Sequence, residues 1–483
     1  MTTLHTSATD GGRLRVAGWL RGVVSWMAPL DSVYRPFFIA AIIAGLTAGA
    51  AWGVWLLVEI GRTGSFTGVS IHTVNAHGHA QIFGWIGLFV MGFAYHVLPR
   101  LWRSAPVAPV AAGSSFLLMI GGLTLCVIGT ALATRWGAAP TVAAAGGGLM
   151  FGATLVFFFS LLGVFRRSEA LRTPWVAFVF VGLAFFALST LYNAWHVWMT
   201  TAAPNREALL YAVSTHQGAL RNLQLHGFAL FMILGMSMRL IPPLFGARLT
   251  PDRPAWIALW LLLAAVVVET GAFLAFQWTG SRVMAGGMWM AWLLLPIGVG
   301  LVALPWRLWA PLPLGGRASK FVRAAYIWLA VALAMLIALP LYQFVSGQAF
   351  SHAYYGGVRH AYTVGFMSMM IMGMAAKVVP TFRRVDERAL TNLWGPFLLV
   401  TIGCALRVTL QIATDWRDSA FWIVPVSGGM ELTGLTWWGA HLATLMLRDP
   451  DRRRGGDIAL PIADQTDAAA APGSGRENAG NRP

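Results

Sequence analysis

Apolar stretches of about twenty residues recur along the chain, separated by short polar segments, and ~20 apolar residues are what a helix needs to cross a bilayer. The pattern predicts twelve spans, over 37–60, 79–98, 109–131, 140–165, 175–199, 224–244, 255–278, 286–304, 322–346, 360–380, 392–414 and 420–447. The expected fold is therefore all-α, a polytopic bundle of twelve transmembrane helices.

Three spans end in one phrase: Met91-Gly-Phe-Ala-Tyr-His-Val-Leu-Pro99, Leu234-Gly-Met-Ser-Met-Arg-Leu-Ile-Pro242 and Met372-Gly-Met-Ala-Ala-Lys-Val-Val-Pro380. Gly92, Gly235 and Gly373 each stand 7 residues before the proline and 4 before a base, His96, Arg239 or Lys377. The prolines are 143 and 138 residues apart. Such a period is too long for a solenoid unit and suits four membrane helices. Three four-helix repeats, approximately 34–173, 174–320 and 321–448, are expected in pseudo-threefold arrangement. The motif spans are the second, sixth and tenth. Their small and polar residues recur in register, which predicts that they lie innermost.

Composition agrees, with 57% hydrophobic and 11% charged residues, 23 Trp and a mean hydropathy of +0.65, against roughly 25% charged in soluble domains. Topology accounts for the net charge of +16. With the N-terminus inside, inner segments hold at least 21 Lys and Arg and outer ones 7, the asymmetry that marks cytoplasmic loops. Both termini are thus expected in the cytoplasm, with the lipid bilayer as partner and no nucleic acid. Residues 1–33 form a cytoplasmic segment whose stretch 12–30 carries too many bases to span and is expected to lie on the inner surface. The tail 449–483 has little apolar content and reads as disordered. Cys126 and Cys404 sit in apolar spans with no partner pattern, which excludes a thiolate cluster.

Of eleven histidines, the topology puts His72, His77, His79, His196, His216, His226, His352 and His360 on the outer side, and only His5, His96 and His441 inside. Counting 13 residues back from the repeat glycine gives His79, Asn222 and His360. Neutral imidazole is the commonest metal ligand and a proximal ligand of haem. His79 and His360 are therefore the leading candidate ligands, with His77, His226 and His352 behind them. The competing reading of each is an interhelical hydrogen bond or an interfacial position. His77 and His79 lie about 200° apart on a regular helix. Either they face two sites or His77 lies in a bent approach segment. A break at Gly356-Gly357 would let His352 and His360 reach one pocket, where Tyr354, Tyr355 and Tyr362 could donate hydrogen bonds. His96 reads as a snorkelling base.

Charges inside a membrane are expensive and default to function. Arg407 and Glu431 fall at similar depth on adjacent spans and are expected to pair, with a haem propionate as the alternative partner of Arg407. Glu269 has no obvious partner and reads as a protonated hydrogen bonder or a proton-path residue.

Tyr34-Arg-Pro-Phe-Phe38, His77-Gly-His-Ala-Gln-Ile-Phe-Gly-Trp85 and Arg359-His-Ala-Tyr-Thr-Val-Gly-Phe-Met367 followed by Met372-Gly-Met-Ala-Ala-Lys377 resemble NnrS proteins. The resemblance, spread over the whole length, implies a twelve-helix bacterial inner-membrane protein that binds haem and copper and acts in nitric oxide metabolism and nitrosative-stress resistance. A more distant likeness reaches the catalytic subunit of haem-copper oxidases and nitric oxide reductases, which carry haem ligands on helices 2 and 10. The chain departs from them: Tyr362 stands where their second haem histidine would be, and the seventh span lacks their adjacent histidine pair.

The expectation is thus an integral membrane protein with haem held toward the outer half, a covalent c-type haem being disfavoured since no Cys-x-x-Cys-His occurs and b type expected, and copper second. Arg359 beside His360 is the best-placed propionate partner, ahead of Arg221 and Arg407. A divergent nitric oxide reductase or quinol oxidase is the enzyme alternative, its electron donor open. A transporter of a metal or small solute is the other, although transporter repeats are usually paired and here there are three.

Overall fold

Inside hydrocarbon every backbone N–H and C=O must be paired within the protein, and the described residues meet that demand with helices alone. The computed structural model describes residues 32–169 and 172–447. The expected surface helix within 12–30, His5 and the tail from 449 lie outside the described residues. The long helices are α1 (Tyr34–Thr63), α2 (Ile71–Leu101), α3 (Pro109–Ala131), α4 (Ala139–Arg166), α5 (Pro174–Thr201), α6 (Arg206–Phe245), α7 (Asp252–Thr279), α8 (Arg282–Trp306), α9 (Gly316–Ser346), α10 (His352–Phe382) and α11 (Trp394–Ala413), all apolar enough to cross a membrane, and α12 (Ser419–Leu447). The chain is a multi-pass membrane protein. At 29 residues, α12 is ~43 Å long at 1.5 Å per residue, but Glu431, His441 and several Gly, Thr and Trp make it less apolar than the other eleven.

Burial separates three helices from the rest. The most apolar windows of α2, α6 and α10 are 94%, 83% and 78% buried, against 28% to 44% for the other eight crossing helices. These are the motif helices, and they meet pairwise. Arg221 of α6 reaches over Gly78 of α2, where a β-carbon would stand 2.9 Å from Nη2. The rings of His226 on α6 and Tyr362 on α10 are 5.1 Å apart. Trp85 Nε1 of α2 donates to Ser368 Oγ of α10 at 3.0 Å.

Three local features recur at equivalent positions. A β-carbon on Gly92, Gly235 or Gly373 would meet Cβ of Phe37, Phe178 or Phe321 at 2.5, 2.9 and 2.9 Å, so each motif glycine lets its helix close onto the helix before it. A π-helical stretch of 8 residues follows His79, Asn222 and His360, over Ala80–Gly87, Leu223–Leu230 and Ala361–Ser368. Four residues past each motif proline the backbone turns left-handed, at Arg103 (φ 50), Gly246 (φ 72) and Arg384 (φ 53), which ends the helix.

The inner helices begin well before their expected starts, at Ile71, Arg206 and His352 rather than 79, 224 and 360. The segments gained carry His, Asn, Gln and Arg, which lower the hydropathy, and His72, Asn75, His216 and Gln217 among them are buried by the bundle. His77 accordingly sits within a helix and in no bent approach. His352–His360 is one continuous α-helical stretch across Gly356-Gly357.

Gly92→Ala should destabilise the protein by about 1–3 kcal/mol through overpacking, read as a lower thermal midpoint in detergent. Gly148→Ala on α4, where nothing lies within 4 Å of the added carbon, should be near neutral. Equal stability of the two variants would show that the close approach at Gly92 is not needed.

Candidate functional site

The N-terminal halves of α2, α6 and α10 gather most of the chain's histidines, and the structure sorts these into separate environments. His77 Nδ1 lies 2.9 Å from the Gly49 carbonyl oxygen of α1, and His360 Nδ1 lies 2.8 Å from the Gly356 carbonyl oxygen one turn earlier. A carbonyl only accepts, so both Nδ1 atoms carry the proton and both Nε2 atoms keep a free lone pair. The two rings are within electrostatic reach of each other, with Arg407 and Arg359 beside His360 and Arg407 and Arg221 beside His77. A β-carbon at Gly53 would stand 2.8 Å from His77 Cε1, so the missing side chain there makes room for the ring. His77, His360, Arg221 and Arg359 all remain partly accessible in helices that are mostly buried.

Helical geometry sends His79 elsewhere. Its Nδ1 lies 3.6 Å from Cys126 Sγ of α3, and Asn193 and His196 of α5 and Arg221 are its other neighbours. The pairing expected from the repeat position, His79 with His360, is therefore not the one the fold brings together; His77 stands with His360. Two residues of spacing put the two rings on opposite faces, the first of the alternatives that the spacing allowed.

His226 occupies a third environment. Its Nδ1 is 2.7 Å from Glu269 Oε1 of α7, and Trp292 Nε1 of α8 donates to Glu269 Oε2 at 3.1 Å. This explains an acid that the sequence left without a partner. Tyr362 stands against the His226 ring, its hydroxyl buried and without a hydrogen-bond partner. Tyr354, by contrast, donates to the Met335 carbonyl at 2.6 Å.

His352 is exposed beside Phe350 and Phe66, so it joins no pocket with His360. His96 is buried between Tyr34 and Phe382 and does not snorkel. Arg407 and Glu431 stand within electrostatic reach, yet Arg407 Nε and Nη1 and Glu431 Oε1 have no hydrogen-bond partner; the expected pair is not closed. Sequence reasoning passed over the Asn193 and His196 pair, whose i, i+3 spacing on an apolar helix was its available signal.

Two imidazoles with free Nε2 atoms and an arginine with unpaired N–H groups fit the donor set a haem requires: axial nitrogens and cations for its carboxylates. Copper fares differently. Among the described residues no three His, Cys, Asp or Glu side chains converge to hold a metal ion, so protein side chains do not assemble a closed copper site. The family model of the NnrS protein matches residues 29–449. The chain belongs to the NnrS family. No curated protein matches it. The match covers all twelve helices of this NnrS-family chain and every histidine environment described above.

Removing one partner of a buried hydrogen bond costs about 1–3 kcal/mol because the other is left unsatisfied. Glu269→Ala should therefore lower unfolding free energy by that order in chemical denaturation, and adding His226→Phe should recover part of the loss. Strict additivity of the two substitutions would show that they are not coupled.

Proposed function

We propose that this NnrS-family protein is an integral membrane haem protein of the bacterial inner membrane, acting in nitric oxide metabolism and nitrosative-stress resistance. The observation that carries the reading is the His77–His360 environment, where both Nδ1 atoms are tied to carbonyl oxygens and both Nε2 atoms are left free. Nδ1 hydrogen bonds of this kind fix ring orientation and raise ligand basicity. Bound there, a haem would supply one-electron chemistry and an iron centre for small gases.

The chain's own residues would do the rest. Gly49 and Gly356 hold the rings. Arg407, whose Nε and Nη1 lack partners, and Arg359 would receive the propionates, since a buried unpaired carboxylate costs several kcal/mol. The apolar packing around α2 and α10 keeps bulk water away. Copper remains an expectation from the family alone. A nitric oxide reductase-like activity is the second reading, favoured by His226, which is held by Glu269 and faced by the unpartnered Tyr362 hydroxyl.

His77→Ala and His360→Ala should each lower haem per chain several-fold, read as Soret absorbance of purified protein, with membrane insertion intact. His79→Ala should leave it nearly unchanged. Full haem with unchanged spectra in both His77→Ala and His360→Ala would end the assignment. Arg359→Ala should weaken haem retention and Arg359→Lys restore only part, because a point charge lacks the bidentate fork. Nitric oxide consumption by pure protein with a reductant separates enzyme from carrier or sensor.

A further inference from the structure

A second polar cluster lies on the other face of α2, where α3, α5 and α6 meet it, and several of its buried polar atoms are left without hydrogen-bond partners. Asn193 is 0% exposed and within hydrogen-bonding reach of His79 and Cys126, with no well-formed bond closed at Oδ1 or Nδ2, and His196 is 2% exposed, with neither ring nitrogen bonded. Gln224, also 0% exposed, uses Oε1 to accept from Arg221 Nη1 at 2.6 Å, and its Nε2 is unpaired. His79 adjoins Asn193, His196 and Arg221, and Arg221 also reaches His196.

Charge decides what this cluster takes. The charged side chain acting most on Arg221 is another cation, Arg359, and no Asp or Glu forms an ion pair with Arg221 among the described residues. A buried charge without a counterion costs several kcal/mol, which water alone offsets only in part. A metal cation beside a guanidinium would meet repulsion, and the side chains here do not converge as a ligand set. Donors outnumber acceptors: the amides of Asn193 and Gln224, one ring N–H each of His196 and His79 and the remaining Arg221 N–H groups stand against Asn193 Oδ1, one bare nitrogen on each imidazole and the Cys126 sulfur.

We propose that Arg221, Gln224, Asn193 and His196 form a binding site for a small monovalent oxyanion of the size of nitrite or nitrate. The planar guanidinium fork matches a planar oxyanion, and the amides and imidazole N–H groups complete its shell. The site stands on these residues alone and does not require the haem reading.

The test uses purified full-length protein in lipid nanodiscs, titrated calorimetrically with sodium nitrite and sodium nitrate against a chloride background. Saturable binding of one anion per chain is expected. Asn193→Asp, which keeps the side-chain volume but adds a carboxylate beside Arg221, should abolish it. Gln224→Leu should weaken it about tenfold, corresponding to ~1.4 kcal/mol. Haem content should stay at the wild-type level in both variants, and this second readout keeps a failure of the anion site distinct from a failure at His77 and His360. Absence of binding by the wild type, or binding unchanged in Asn193→Asp, overturns the proposal. Absence of binding together with haem loss in Arg221→Gln also overturns it, and would assign the guanidinium to a propionate.

Discussion

In hydrocarbon a polar side chain has no water to fall back on, so it must find its partner within the protein. That constraint orders this bundle. Arg221, Arg359, Arg407, Glu269, Glu431 and most of the histidines lie on or against α2, α6 and α10, the helices most shielded from lipid. The helices around them face lipid with Leu, Val, Phe and Trp, as at Val267, Trp260 and Phe344. The bundle is thus inverted relative to a water-soluble domain, with its reactive groups at the centre because only there can they be paired.

The close glycine contacts make such a centre available. Gly92, Gly235 and Gly373 seat α2, α6 and α10 against Phe37, Phe178 and Phe321, where dispersion rather than water exclusion holds helices together. Each inner helix then widens into a π-helical stretch at one repeat position, directly after His79, Asn222 and His360. Such stretches are uncommon and gather at functional sites. They rotate the residues before them relative to those after, so that polar groups near the helix N-termini and apolar ones farther along both face inward.

Much of this was legible in the residues, and the losses have physical causes. The repeat phrase singled out the three inner helices because glycine and proline at fixed spacing mark backbone contacts that substitution cannot imitate. Their starts were misread because hydropathy scores exposure to lipid, and His72, His77 and Arg221 stand in turns that the bundle, not the sequence, protects. Glu269 showed no partner because His226 lies 43 residues earlier and no local spacing couples them. The choice of His79 over His77 rested on repeat position, which fixes depth but not azimuth. Which ring meets His360 depends on how α2 is rotated about its axis, and that is set by the Gly49 carbonyl and by the room at Gly53 on α1.

The two-residue offset of His77 and His79 has one more consequence. Opposite faces of a single helix turn give two polar clusters at nearly one depth, and Gly78 between them is where Arg221 crosses from α6. One guanidinium thereby adjoins both environments: His77 with His360 on one side, His79 with His196 and Asn193 on the other. A side chain on residue 78 would displace it. A charge on either side of α2 is thus felt on the other through Arg221, which ties the two sites electrostatically.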